Sequence, residues 1–515
     1  MSGVLILTVS TVIVKIIGLA YKIPLLSILG AEGMGYFNSA YEIYALLCGI
    51  STTGLPIAVS MLISSANERG DIAKSKRIFA TSSAILVTKG VAFSASLALL
   101  AQPIATLIGN SEAYYAILAI SPALLFSCIS SACRGYFQGC RQMLPTATSQ
   151  LIEAACKLLL GVTFSYLAIR MGMSIYTAAA MGILGVSVGS LLASAYLCVR
   201  LKTYARLTLT VKDRAKEGYF WQLFKISLPI TLGSALMGSS RIIDMSLIMR
   251  RLQDIGVSVS EANEIYGSYT TLAIPVFSLV PAFIPPITES LIPRLSAAVE
   301  RGDVAEQERA ISNATRLTVF LSMPASMGII LYSEEIISLL FNGQTQAIAI
   351  SAPLLSVLGT AVIFSCMIST ANAVLQSYKK VMLPIIALAV GAVVKAVSAY
   401  FLIGNADIGA LGAPISTLLF NVSVLLLDLI FVRISSAGRM GSVWQIIKPF
   451  VASGISVLTS YALYMPLSAA TDSIKISFGV AFVVAAVLYL ALSVALGVVS
   501  KDDIAVFYRK KRKQT

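Results

Sequence analysis

Residues 347–376 read AIAISAPLLSVLGTAVIFSCMISTANAVLQ, thirty residues without an acid or a base, and Lys379-Lys380 follows almost at once. About 20 apolar residues suffice for a helix to cross the hydrocarbon core of a bilayer. A barrel strand would alternate apolar and polar residues over about ten positions, and this stretch does not. Moving outward, comparable runs between polar breaks fall at 4–29, 35–65, 78–108, 113–133, 145–169, 175–200, 221–249, 265–293, 315–341, 347–376, 382–403, 409–432, 445–467 and 476–499. The composition agrees: 57% of the 515 residues are hydrophobic and 12% are charged, half the roughly 25% charge of a soluble domain. The sequence therefore predicts an all-helical polytopic membrane protein of about fourteen spans.

The net charge of +14 is unevenly placed. One set of loops holds Arg69, Lys74, Lys76 and Arg77, the 201–220 linker, Arg301 and Arg309, Lys379 and Lys380, and the tail Arg509-Lys510-Lys511-Arg512-Lys513. The alternate loops hold Glu32, Glu112, Asp254, Glu261, Glu264, Glu334, Glu335, Asp407 and Asp472. Lys and Arg concentrate on the cytoplasmic side of membrane proteins, which predicts cytoplasmic basic loops and two cytoplasmic termini. A basic surface so close to a bilayer meets anionic lipid headgroups, and no nucleic acid partner is expected. The N-terminal run lacks a small-residue cleavage site and reads as a retained span.

Two stretches recur. Glu68-Arg69-Gly70-Asp71 follows the second span and Glu300-Arg301-Gly302-Asp303 the eighth. The run from Gln138 to Pro145 precedes the fifth span, and that from Gln376 to Pro384 precedes the eleventh; each is followed by a lone mid-span lysine, Lys157 or Lys395. Gly182-Ile-Leu-Gly185 and Gly409-Ala-Leu-Gly412 echo them in the sixth and twelfth spans. An offset of six spans preserves orientation, so the copies predict two six-helix lobes related as a parallel repeat, a transporter design. Their expected limits are 1–200 and 221–433, joined by a basic linker at 201–220 and followed by an extra helix pair at 440–500 and a basic tail at 501–515.

Motifs for chemistry are missing. There is no G-x-x-x-x-G-K-[ST] nucleotide loop, no histidine, and no Cys/His spacing for a metal among the seven cysteines. The chain reads as a transporter and not an enzyme, with no cofactor and no metal; drive is left to the membrane potential, an ion gradient or substrate flow. Candidate function lies in intramembrane charge, which costs about 2.5–3.5 kcal/mol per residue at a helix centre. Six cations qualify as substrate-binding: Lys15, Lys22, Lys89, Lys157, Arg241 and Lys395. Carboxylates Glu42, Glu153, Asp244 and Glu289 support them, with Asp428 a fifth. Glu153 with Lys157 and Arg241 with Asp244 have the spacing of helical ion pairs. Lys15 and Lys22 share a face about 10 Å apart along the axis and have no carboxylate in their own span. The balance favours an anionic, phosphate-like substrate. Five prolines (275, 281, 285, 286, 293) break the eighth span, and Gly54-Leu55-Pro56 marks the second; helices so interrupted bend where neighbours or a wet cavity satisfy the freed carbonyls. Trp221 and Trp444 read as interfacial anchors.

The run Lys15-Ile-Ile-Gly18, Gly30-Ala-Glu32-Gly33-Met-Gly35-Tyr36, Gly54-Leu-Pro56-Ile-Ala58-Val-Ser60 and Glu68-Arg-Gly-Asp71, with Arg134-Gly-Tyr-Phe-Gln138-Gly139, resembles the stage V sporulation protein B group. That group belongs to the polysaccharide transporters of the multidrug/oligosaccharidyl-lipid/polysaccharide exporter superfamily, which also contains the lipid II flippases. The resemblance implies two six-helix lobes around a central cavity, two further helices beside a lipid groove, and transfer of a polyprenyl-pyrophosphate-linked saccharide across the bacterial cytoplasmic membrane. It implies cavity cations in the first span: Lys15 matches one, whereas the next would fall at Tyr21, one residue before Lys22. A lipid-linked oligosaccharide is the implied partner, and a monomer the expected state. The alternatives are a cation-coupled multidrug exporter of the same superfamily and, from another class, a membrane scaffold.

The charge pattern sets a topology that labelling can check. In a chain stripped of native cysteines, a cysteine near position 74 is expected to resist an impermeant thiol reagent applied to intact cells. Labelling from outside would invert the topology.

Overall fold

The computed structural model describes residues 10, 13, 14, 16–18, 20–205, 218–341, 343–435, 444–471 and 473–498, without the side chains at 204, 205, 218, 229, 237 and 289. The expected 201–220 linker and 501–515 tail thus lie largely or wholly outside the described residues. Among those described there are helices and no strands. The helices used below are α1 (Lys22–Thr52), α2 (Gly54–Glu68), α3 (Ile72–Leu99), α4 (Tyr114–Gly139), α5 (Met143–Arg170), α6 (Ile175–Ala205), α7 (Gly218–Asp254), α8 (Val259–Ser268), α9 (Pro285–Glu300), α10 (Val304–Leu331), α11 (Thr345–Ser377), α12 (Met382–Ile403), α13 (Gly412–Ser435), α14 (Trp444–Thr471) and α15 (Ile474–Ala495).

Among the described residues, twelve helical runs are long and apolar enough to cross a membrane, and a bent pair, Tyr219–Leu228 with Ile230–Asp254, makes a thirteenth. The shortfall from fourteen has a local cause. The run Ile16–Glu68 counts once although it is 53 residues long, about 80 Å at 1.5 Å per residue. At Gly30 the backbone turns left-handed, φ 65° and ψ 179°, a conformation glycine adopts without penalty. The chain doubles back there: the Tyr21 and Phe37 rings lie 6.3 Å apart, where a straight helix would separate them by about 24 Å. The first two expected spans are therefore two limbs of one folded run. The eighth is interrupted as its prolines predict, with a π-helical turn at Tyr269–Ala273 and a 3-10 turn at Pro281–Phe283 before α9.

The chain divides into two compact units, Met1–Thr271 with Ile403–Asp407, and Leu272–Leu402 with Ile408–Thr515. The division falls past α8, not at the basic linker, because α7 and α8 pack into the first unit. A β-carbon on Gly267 would run into the carbonyl of Ala31, and one on Gly54 into that of Ser227; small residues allow this close approach between membrane helices. Asn110 and Asn263 exchange amide hydrogen bonds at 2.8 and 3.1 Å, tying α8 to the residues preceding α4. Leu55, Val59 and Ile63 of α2 pack with Ile78 and Phe79 of α3 and Cys133 and Phe137 of α4. In the second unit, Leu291 and Leu295 of α9 pack with Ile311 and Ala314 of α10, Val374 of α11 and Val432 of α13. Tyr332 packs against Val457 and Tyr464 of α14 and Ala481 of α15. Exposed Leu99, Val393, Phe401, Phe482 and Val487 leave an apolar outer surface, which suits lipid.

The repeated quartets form the same joint twice. Gly70 and Gly302 have φ +71° and +68°. Asp71 and Asp303 cap the next helix, accepting from the Lys74 amide at 2.8 Å and the Glu306 amide at 3.0 Å. Arg141 and Lys379, in the second repeated stretch, are the two non-glycine residues with positive φ among those described, 59° and 61°. Each reaches back to the joint, Arg141 to Glu68 and Lys379 to Glu300, the latter at 3.3 Å.

Equivalent joints should respond equally to mutation. Open space surrounds Gly70 and Gly302, so Gly70→Ala and Gly302→Ala are expected to lower the thermal midpoint alike through backbone strain alone, each by about 1 kcal/mol or somewhat more. Gly233→Ala, inside α7 with open space and ordinary φ, should instead be neutral or stabilising. Unequal losses at the two joints would break the equivalence.

Candidate substrate site

The cation cluster of the first unit is assembled by the fold-back at Gly30. Tyr21 precedes α1 and Tyr41 lies on its second limb, yet both rings face one ammonium. Lys157 Nζ of α5 sits 4.3 Å from the Tyr21 ring centroid and 4.2 Å from that of Tyr41. Cation–π attraction to a single ring is worth roughly 0.5–2 kcal/mol, more as water is excluded. Phe37 and Tyr44 extend the aromatic stack, at 6.3 and 5.9 Å from Tyr41.

Lys22 begins α1 and donates from Nζ to the Thr270 carbonyl at 3.0 Å. Asn38 holds the same segment, its amide donating to Thr270 Oγ1 at 2.9 Å and Thr271 Oγ1 at 2.8 Å. Lys22 lies within electrostatic reach of Lys157 and Glu42. Glu42, 19% exposed, faces Arg241 of α7 at 3.4 Å; Arg241 is 53% exposed. Asp244 is buried one turn further along α7. Three cations thus stand with two carboxylates in one region of the first unit, an excess of positive charge.

Both expected helical ion pairs are replaced by tertiary ones. Glu153 accepts from Arg134 of α4 at 3.0 Å and from Ser190 Oγ of α6 at 3.2 Å, not from Lys157. Arg134 Nε donates to Ser149 Oγ at 2.9 Å. Arg241 reaches Glu42, not Asp244. A pair of neighbouring positions on one helix is worth only about 0.2–0.5 kcal/mol, too little to outweigh a partner on a facing helix. Lys89 does not join the cluster; its side chain is exposed on α3 between exposed Val87 and Val91. Lys15 and the side chain of Glu289 lie outside the described residues.

In the second unit Lys395 of α12 is 3% exposed and has its Nζ 5.7 Å from the Phe420 ring centroid. Asp428 of α13 is fully buried, and neither carboxylate oxygen has a hydrogen-bond partner among the described residues. An apolar cavity of about 510 Å³ opens between α10, α11, α13 and α14, lined by Met323, Met327, Phe364, Met367, Ile446 and Phe450 among others.

Tyr21, Tyr41, Asn38 and Arg134 were not candidates from sequence. Tyrosine is ordinary core material in a span, and only the fold-back shows that two of them share an ammonium. Arg134 carried a signal in the Arg134-Gly-Tyr-Phe-Gln138-Gly139 run, without a partner to give it a role.

Residues 1–299 match the family described as polysaccharide biosynthesis protein, and residues 158–489 the family described as lipid II flippase MurJ. The chain belongs to these flippase-related families. Relatives include stage V sporulation protein B of Bacillus subtilis strain 168, 25% identical over 98% of this chain and 96% of that one. Lipid II flippase MurJ of the same organism is also 25% identical, over 84% of this chain and 82% of its own length. Among solved structures, lipid II flippase MurJ in an inward closed conformation shares the fold with a TM-score of 0.74 at 15% identity, covering 98% of this chain and 99% of that one. An inward-facing multidrug resistance MATE family transporter of the MOP superfamily gives 0.70 at 14% identity, over 84% and 97%. Family and fold are those of multi-pass membrane transporters.

Stability measurements separate the observed pairing from the local one. Glu153→Gln strips a charged partner from Arg134 and should lower the thermal midpoint by the equivalent of about 1–3 kcal/mol. Lys157→Gln should cost less, since no carboxylate within ion-pair distance depends on it among the described residues. Equal losses would restore the Glu153–Lys157 pair.

Proposed function

We propose that this protein flips a polyprenyl-pyrophosphate-linked saccharide, lipid II or a related cell-wall or polysaccharide precursor, across the bacterial cytoplasmic membrane by alternating access. The observation that carries the reading is the Lys157 ammonium held by two tyrosine faces. Rings stabilise the charge without occupying it as a carboxylate would, so the ammonium keeps donors for a visiting anion. Lys22 and Arg241 flank it, and Lys15 belongs with them by its place in the first span. Family membership supports the same substrate class. The 510 Å³ apolar cavity of the second unit suits a polyprenyl chain, and Lys395 is a buried cation of the same unit.

The lobes, on this reading, are the 1–200 and 221–433 repeats with an added pair at 440–500, working as a monomer. Both termini and the basic loops face the cytoplasm, where they meet anionic lipids. No cofactor is invoked. The energy comes from the membrane potential, an ion gradient or the substrate's own downhill flow. A multidrug exporter of the superfamily shares the fold, and buried Asp428 is the group that reading would use for a coupling cation. The first-unit cluster favours an anionic cargo instead.

Flipping assays in proteoliposomes with defined lipid-linked saccharides decide between them. Losing a charged hydrogen-bond donor costs about 1.5–3 kcal/mol, so Lys157→Gln is expected to slow flipping about 10- to 100-fold with little loss of stability. Lys15→Gln should behave alike, and Lys15→Arg should keep part of the activity. Unchanged flipping by both glutamine variants, or transport of a cationic dye in place of the lipid, would reject the reading.

A further inference from the structure

A second cavity of the first unit, about 260 Å³, opens between α1, α2, α4 and α5. Its lining includes Tyr44, Ser127, Ser131, Arg134, Gln138 and Glu153. We infer that it is a saccharide subsite, binding the hydroxyl groups of the sugar nearest the pyrophosphate; this rests on the flippase reading above.

Charge excludes the other ligands of that reading. Arg134 and Glu153 pair at 3.0 Å, so the pocket is neutral overall, and an anionic phosphate would meet the Glu153 carboxylate directly. An isoprenoid chain finds in it too many polar groups to desolvate. A polyhydroxyl ring fits, because it supplies both donors and acceptors. Glu153 accepts; Arg134 spends two of its five N–H donors on Ser149 and Glu153 and keeps the others. The Gln138 amide has no hydrogen-bond partner among the described residues and offers a donor and an acceptor side by side. Ser131 donates to the Thr52 carbonyl at 3.1 Å, leaving its oxygen free to accept. Tyr44 and Ser127 share a hydrogen bond of 2.7 Å at the wall.

Position supports the same assignment. The pocket abuts the cation cluster: Glu153 is one turn from Lys157, about 6 Å along α5, and Tyr44 one turn from Tyr41, about 4.5 Å along α1. In a pyrophosphate-linked saccharide the first sugar is bonded directly to the phosphate, so its subsite has to adjoin the cations. The volume is below the roughly 300–1,000 Å³ of pockets for drug-sized ligands, which suits one ring and leaves further sugars outside.

Binding of two probes to the full-length protein in nanodiscs tests the assignment: undecaprenyl pyrophosphate, and the same lipid carrying one N-acetylhexosamine. The wild type is expected to bind the sugar-bearing probe at least tenfold more tightly. Gln138→Ala should erase most of that preference and leave affinity for the sugarless probe within twofold. Ser131→Ala, which removes one small acceptor, should reduce the preference in the same direction with an unchanged thermal midpoint. A wild type that binds both probes equally, or variants that weaken both equally or neither, overturns the subsite while the flippase reading stands. A wild type that binds neither probe overturns both.

Discussion

Hydrocarbon gives a peptide group nothing to bond to, so each segment inside a bilayer has to close its own hydrogen bonds or be sheltered by neighbours. Helices follow from that constraint, and so do the places where they fail. The interruption at Tyr269–Ala273 lies next to α8, whose approach to α1 is close enough that only glycine fits at position 267. The carbonyl of Thr270, inside that interruption, accepts from Lys22. A break in the helix thus supplies the acceptor that holds an intramembrane cation.

The same economy governs charge. Each described intramembrane cation of the cluster is stabilised differently: Lys157 by ring faces, Lys22 by a carbonyl, Arg241 by a carboxylate. Ring faces and carbonyls lower the cost of a buried charge without neutralising it. The cluster keeps a net positive character, while the adjoining pocket, with Arg134 matched to Glu153, has none. Phosphate and sugar would each find the surroundings that their chemistry needs.

Much of this was legible beforehand. Apolar run length located the spans, and two four-residue echoes located joints that share the same glycine turn and aspartate cap. What stayed hidden depended on contacts distant in sequence. Glu153 and Lys157 have the spacing of a helical pair, and only the packing of α4 and α6 on α5 shows that Glu153 is engaged elsewhere. Tyr21 and Tyr41 converge because Gly30 reverses the chain, and no periodicity encodes that reversal. Lys89 looked equivalent to Lys157 because hydropathy shows depth in the membrane and not which way a side chain faces.

The paired turns at Arg141 and Lys379 carry a consequence for how each unit is held together. Glycine would adopt their left-handed backbone more readily, by roughly 1–2 kcal/mol, yet each position keeps a long cationic side chain that clasps the joint between the helices beside it. Both clasps are solvent-exposed ion pairs, worth at most about 1 kcal/mol, and mobile ions screen them once the Debye length shortens to about 8–10 Å. Rising ionic strength therefore loosens the helix ends of each unit in the same sense, because one chemistry fastens each.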